Sequence, residues 1–125
     1  TLVGHTNKVL ACAFSASNRW LASVGHDRKV IIWSANNGQL LYDLPGHSNQ
    51  VTSVRFSPDA RDLLATASYD KSVRIWRGLG AGTAPECAIV FSGHTHSVTA
   101  LDWSPDGAYL VTASEDAVCV WDAAT

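Results

Sequence analysis

The chain has 125 residues, 46% hydrophobic and 16% charged, with nine Lys and Arg against eleven Asp and Glu and a formal net charge of −2. No basic stripe of the kind that tracks a phosphate backbone is present, which argues against direct nucleic-acid binding. No apolar run approaches the roughly 18 to 20 residues needed to cross a bilayer as a helix.

Gly4-His5 opens the first of three similar stretches. Behind it Val9, Cys12 and Phe14 stand at offsets 0, +3 and +5, where a regular strand would give 0, +2 and +4. The extra residue implies a β-bulge at Leu10-Ala11. Ser15-Ala16-Ser17-Asn18 fills a turn, and Trp20-Leu21-Ala22-Ser23 reads as a second strand. Asp27 marks a tight turn. A third strand places Val30 and Ile32 on one face and Trp33 on the other, and Gln39-Leu40-Leu41-Tyr42 reads as a fourth.

The second stretch follows Gly46-His47 with Val51, Val54 and Phe56 at the same offsets, the bulge at Thr52-Ser53, and a turn Ser57-Pro58-Asp59-Ala60 in which Pro fixes φ and Asp can bond its own backbone. Leu63-Leu64-Ala65-Thr66, the turn residue Asp70, and Val73, Ile75 and Trp76 come next. Residues 77–87 are rich in Gly and Ala and read as a flexible spacer, four residues longer than their counterpart in the first stretch. Ala88-Ile89-Val90-Phe91 closes the unit. The third stretch repeats the plan through Gly93-His94, then Val98, Leu101 and Trp103 with the bulge at Thr99-Ala100, Ser104-Pro105-Asp106-Gly107, Tyr109-Leu110-Val111-Thr112, Asp116, and Val118, Val120 and Trp121.

The His positions recur every 42 to 47 residues, a period that suits a four-stranded sheet used repeatedly. Gly-His followed about 28 residues later by a strand ending in Trp, with Trp121-Asp122 closing the last unit, resembles the WD40 repeat family across nearly the whole chain. Trp33-Ser34 and Trp76-Arg77 depart from the final Trp-Asp of that motif. The resemblance implies an all-β fold of three consecutive four-stranded antiparallel blades, a partial propeller spanning residues 1–125, with units 4–45, 46–92 and 93–125.

The sequence has no methionine, opens on what reads as the tail of an outer strand (Thr1-Leu2-Val3) and stops at Ala123-Ala124-Thr125. The expectation is a piece cut through two blades, with two complete sheets and a third lacking its outer strand. Propellers close with about four to eight blades. Three blades therefore need the remaining blades of a parent chain, or a homo-oligomer, to close the ring and cover the apolar end faces.

His5, Ser23 and Asp27 have the residue types of a serine-hydrolase triad. The set recurs with a tryptophan in each unit, as His5, Ser23, Asp27, Trp33; His47, Thr66, Asp70, Trp76; and His94, Thr112, Asp116, Trp121. A hydrolase needs one exposed nucleophile with an oxyanion hole, not one copy per repeat. The family resemblance implies instead a buried relay from Trp through Ser or Thr to His and Asp. Asp27 and Asp70 lie six residues before their Trp but Asp116 only five, so the third relay requires a tightened turn through which Asp116 still reaches it, or is incomplete; the former is the expectation. No enzyme activity and no cofactor are expected. His94 and His96 are too few to make a metal site.

In WD40 proteins, whose four strands per unit are lettered a to d in chain order, the turn before strand c and the start of strand a lie on one rim that commonly grips peptides. The resemblance therefore points to Lys8, Leu10, His26, Gln50, Thr52, Tyr69, Ser97, Thr99 and Glu115 as partner-binding positions, with Tyr69 foremost as an aromatic carrying a polar tip. Residues 1–34 hold four Lys and Arg against one acid, whereas residues 78–125 hold six acids and no Lys or Arg. The acidic sector around Glu115 and Asp116 could steer a basic peptide. Cys12, Cys87 and Cys119, odd in number, are expected to be buried reduced thiols of an intracellular protein, cytoplasmic or nuclear.

The expected function is a non-catalytic scaffold that presents protein or peptide partners in a multiprotein complex, with a propeller-borne hydrolase-like enzyme as the alternative. Leu21 through Val30, together with Val54-Arg55-Phe56 and Ala67-Ser68-Tyr69-Asp70-Lys71, resembles the repeats of LEUNIG-type transcriptional corepressors, which implies a nuclear corepressor platform as one specific form of that scaffold.

Overall fold

The computed structural model describes residues 1–59 and 61–123, so Ala60 of the second turn and the closing Ala124 and Thr125 lie outside the described residues. Strands Val9–Phe14 (β1), Trp20–Gly25 (β2), Val30–Ser34 (β3) and Leu40–Leu44 (β4) form the first sheet in chain order. Val51–Phe56 (β5), Leu64–Ser68 (β6), Val73–Arg77 (β7) and Glu86–Phe91 (β8) form the second, and Val98–Trp103 (β9), Tyr109–Ser114 (β10) and Val118–Asp122 (β11) a three-stranded third. Every pairing is antiparallel. No helix occurs among the described residues.

The 0, +3, +5 spacing is explained by the register. Val9 pairs with Gly25 and Ala11 with Val24, leaving Leu10 as the extra residue; Thr52 and Thr99 are extra in the same way. Each bulge brings the later apolar side chains of strand a back onto one face. A second irregularity, between β3 and β4 and again between β7 and β8, has no counterpart in the sequence pattern, because strands at a sheet edge carry only a weak alternation.

The sheets stack face to face by one rule. Strand c of one sheet offers its two β-branched residues to strand a and the tryptophan of the next. Val30 and Ile32 thus bury against Val51, Val54, Phe56 and Trp76, while Val73 and Ile75 bury with Val98, Leu101 and Trp103. At roughly 1.5 to 3 kcal/mol for each large side chain buried, these two seams dominate the stability of the stack. Polar ties cross the second seam: Trp103 Nε1 donates to Arg55 O at 3.1 Å, Thr52 Oγ1 to Val98 O at 2.7 Å, and Arg61 to the carbonyls of Gly107 at 2.5 Å and Ala123 at 3.0 Å.

Two expectations are corrected. Cys12 is exposed, and Cys87 and Cys119 are half-buried, although all three are free thiols. Cys12 occupies the strand-a position filled by Val54 and Leu101 in the inner seams, but no sheet among the described residues stacks on that side of β1. Residues 77–87 are also more than a spacer. Leu79 packs against the first core, Gly80 sits so near the Trp20 ring that a Cβ there would stand 3.1 Å from it, Arg19 covers that ring at 4.3 Å, and an Arg77–Glu86 ion pair at 2.8 Å closes the base of the loop.

Candidate functional site

Each Gly-His segment runs beside the b–c turn of its own sheet, and that approach assembles the relays. In the second sheet Trp76 Nε1 donates to Thr66 Oγ1 at 3.0 Å, Thr66 Oγ1 lies 2.8 Å from His47 Nε2, and His47 Nδ1 lies 2.9 Å from Asp70 Oδ2. The donor inventory fixes the directions. Indole can only donate and carboxylate can only accept, so Thr66 Oγ1 accepts from Trp76 and His47 Nδ1 carries the proton that faces Asp70; burial lowers the pKa of His47 and favours the neutral ring, in which the Thr66 hydroxyl hydrogen points to Nε2. The first sheet repeats the chain at 2.8, 2.7 and 2.8 Å through Trp33, Ser23, His5 and Asp27.

The carboxylates do a second job. Asp70 accepts from the Ser48 and Ser72 amides at 3.0 and 2.9 Å and from the Ser72 hydroxyl at 2.6 Å. Burial alone would raise its pKa, but these bonds and the His47 contact outweigh burial and lower it to about 2. Asp27 is likewise lowered, its burial outweighed by bonds from Thr6 N, His5 and Lys29 N. Burial also lowers the pKa of His47 despite the pull of Asp70.

The third sheet departs from this pattern, and the expectation that Asp116 reaches its relay through a tightened turn is not met. Trp121 Nε1, Thr112 Oγ1 and His94 Nε2 are linked at 2.7 and 2.7 Å, yet His94 Nδ1 faces Cys119 Sγ at 4.0 Å. Asp116 turns outward, 3.1 Å from His96 Nδ1 and 3.0 Å from Ser114 Oγ. In the first two sheets the residue after Asp is Arg28 (φ 67) or Lys71 (φ 73), in the left-handed region that swings the carboxylate beneath the His. The third turn lacks that residue. Asp116→Ala is therefore expected to leave the urea midpoint unchanged. Inserting a lysine between Asp116 and Ala117 should raise the midpoint by restoring the four-residue turn, and an insertion variant less stable than the parent would contradict the assignment.

The order of contacts matches that of a catalytic triad, and the difference lies in access. Ser23, Thr66 and Thr112 are 7%, 0% and 1% exposed, and each oxygen already accepts a tryptophan N–H. No approaching substrate can reach these hydroxyls.

The rim above the relays is different. The His26 amide donates to Lys8 O at 2.9 Å and the Tyr69 amide to Gln50 O at 3.0 Å, which draws each b–c turn against the start of its strand a. Ser97 Oγ reaches Tyr69 O at 3.4 Å from the neighbouring sheet. Lys8, Leu10, His26, Tyr69, Thr99 and Glu115 are exposed, while Gln50, Thr52 and Ser97 are half-buried. Thr52 is committed elsewhere: its hydroxyl bridges Ala67 O and Val98 O, so it joins two sheets. Sequence reasoning missed that role, for which the only signal was a Thr at the bulge position of both later units. No group of three or more His, Cys, Asp or Glu able to hold a metal occurs among the described residues.

Sheets of this kind, stacked through strand c and tied internally by a Trp-to-Asp relay, define a β-propeller built of repeated blades. The family model for the WD domain, G-beta repeat, matches residues 1–34, 38–77 and 85–122, and the chain belongs to that WD40 family. Each matched segment ends one residue past its tryptophan, so strand d of one sheet falls into the next sequence repeat. The chain is 39% identical over 120 residues to pre-mRNA-processing factor 19 homolog 2 of Arabidopsis thaliana, covering 94% of this chain and 22% of that protein. It is 35% identical over 118 residues to the transcriptional corepressor LEUNIG_HOMOLOG of the same plant (93% and 14%), and 38% identical over 103 residues to coronin-7 of Rattus norvegicus (77% and 11%). The chain thus spans less than a quarter of the length of these relatives.

Proposed function

We propose that this chain supplies three adjacent blades of a non-catalytic interaction platform, whose rim of Lys8, Leu10, His26, Gln50, Tyr69, Ser97, Thr99 and Glu115 holds a protein or peptide segment. The observation that carries the reading is the contrast between rim and relay. The titratable groups of the first two relays are buried and paired, whereas Tyr69 stands 40% exposed between two sheets with its backbone pinned from both sides. An aromatic held in this way loses little entropy on binding. The residues of the hydrolase-like alternative are those sealed in the relays. The three free cysteines and the names of the relatives support an intracellular setting, cytoplasmic or nuclear, and the likeness to LEUNIG_HOMOLOG supports a corepressor platform as the specific role.

The acidic b–c turn of the third sheet gives the partner a sign, with Glu115 and Asp116 both exposed beside the rim. A Lys- and Arg-rich peptide is expected to bind, detected by fluorescence anisotropy, and an acidic peptide of the same length not to bind. Glu115→Lys with Asp116→Lys should slow association at low salt several-fold while changing dissociation little, and Tyr69→Ala should speed dissociation. An association rate unchanged by the charge reversal would reject the acidic-steering reading.

A further inference from the structure

We propose that Asn37 is a site of spontaneous covalent modification, converting through a succinimide to aspartate and isoaspartate in the folded chain, and that the isoaspartate form loosens the outer strand of the first sheet. Asn37 and Gly38 stand in the turn between β3 and β4. Ser34 N donates to Gln39 O and Gly38 N to Ser34 O, each at 2.8 Å, and these bonds close the turn. Ala35 N, donating to Arg19 O at 3.0 Å, holds it to its own sheet. Asn37 is exposed to water.

The chemistry needs a following backbone nitrogen that can reach the side-chain carbon. Gly38, without a Cβ and at φ 73, presents that nitrogen with the least hindrance. Asn37 Oδ1 accepts from Gln39 N at 2.9 Å, so a backbone N–H already points at the oxygen on which negative charge develops as Cγ is attacked. In the step, Gly38 N gives up its proton and bonds to Cγ; the Cγ–Nδ2 bond breaks, and the side-chain amide leaves with that proton as ammonia. Water then opens the ring. Hydrolysis of the new N–Cγ bond yields aspartate. Hydrolysis of the bond from Gly38 N to the Asn37 main-chain carbonyl yields isoaspartate, in which the main chain runs through Cγ and is one methylene longer.

The other candidates lack part of this arrangement. Asn7, Asn18, Asn36 and Asn49 precede Lys8, Arg19, Asn37 and Gln50, none of them a glycine. At Asn7 and Asn49 the following amide itself donates to Oδ1 at 2.8 Å, which turns the oxygen rather than the carbon toward the nitrogen. Asp106-Gly107 shares the turn, since Gly107 at φ 74 donates to Ser104 O at 2.9 Å. Its carboxylate, however, is held below the usual pKa by bonds from the Ser104 hydroxyl and Ala108 N, so it stays ionised and is a poor electrophile.

The two products differ in consequence. The longer main chain of isoaspartate displaces Gly38 from Ser34 and Gln39 from the bond that closes the turn, beside the Trp33–Leu40 pair at the irregular end of the β3–β4 ladder. Aspartate keeps the chain length and an oxygen for Gln39 N.

The folded chain, incubated in mildly alkaline buffer, is expected to convert at Asn37 several-fold faster than at any other asparagine. Peptide mapping reads this as loss of ammonia followed by gain of water, and labelling by an isoaspartyl methyltransferase distinguishes the isoaspartate product. Asn37→Gln should abolish the conversion at this position, because its longer side chain must close a larger ring. The isoaspartate form, separated by ion exchange, should show a lowered urea midpoint, whereas Asn37→Asp should match the parent. An Asn37 that stays unchanged, or that converts no faster than the other asparagines or Asp106, would overturn the site. An isoaspartate form as stable as the parent would overturn the loosening of β4.

Discussion

Asp70→Ala is expected to destabilise the chain by roughly 2 to 4 kcal/mol, read as a lowered urea midpoint with an unchanged slope, because the substitution removes the partner of the buried His47 Nδ1 proton and of the Ser72 amide and also releases the exposed Ser48 amide. Asp27→Ala should act in the same direction through His5, Thr6 and Lys29. The same groups set the acid limb. His47 is held neutral, its pKa lowered from 6.5, so the unfolded chain takes up its proton first and stability falls as pH drops below 6.5. The contribution of Asp70 is complete above pH 3.8 and is lost as pH falls toward its folded value of about 2. Asp70→Asn should flatten stability across that lower window. An acid limb identical to the parent's would show that the relay does not couple folding to protonation.

Trp103→Ala is expected to cost about 3 to 5 kcal/mol, the range for removing a buried aromatic, with the orphaned Arg55 carbonyl adding to the loss. This side chain belongs to the seam between the second and third sheets, so its loss should uncouple them and split one cooperative unfolding transition into two. Phe14→Ala, at the equivalent position of the first sheet, should leave the unfolding of the monomer almost unchanged, since Phe14 is largely exposed there. Equal effects from the two substitutions would contradict the stacking rule.

Much of this architecture was legible in the residues. The 0, +3, +5 spacing required a bulge in strand a, and the alternation Val30, Ile32 against Trp33 required one face toward each neighbour. The Gly-His to Trp interval required a repeated sheet. Each is local, because a bulge and a pleat are set by side-chain order along a few residues. The third relay was not legible. Five residues rather than six between Asp116 and Trp121 could be counted, but whether a shorter turn still delivers the carboxylate depends on a left-handed residue, and the turn without one carries Asp116 outward to His96. Nor could the pattern show that Cys12, in a position that is core in the other two sheets, would be exposed.

The sequence by itself determined the family, the strand sequence of each sheet, the bulges and the membership of the first two relays, because these follow from periodicity and from residues that recur at fixed offsets. Only the tertiary structure decided which Thr hydroxyls join neighbouring sheets, where Asp116 points and how the Gly-rich loop settles on Trp20. These depend on contacts between residues tens of positions apart, where a shift of one residue in a turn redirects a side chain and no local preference opposes it.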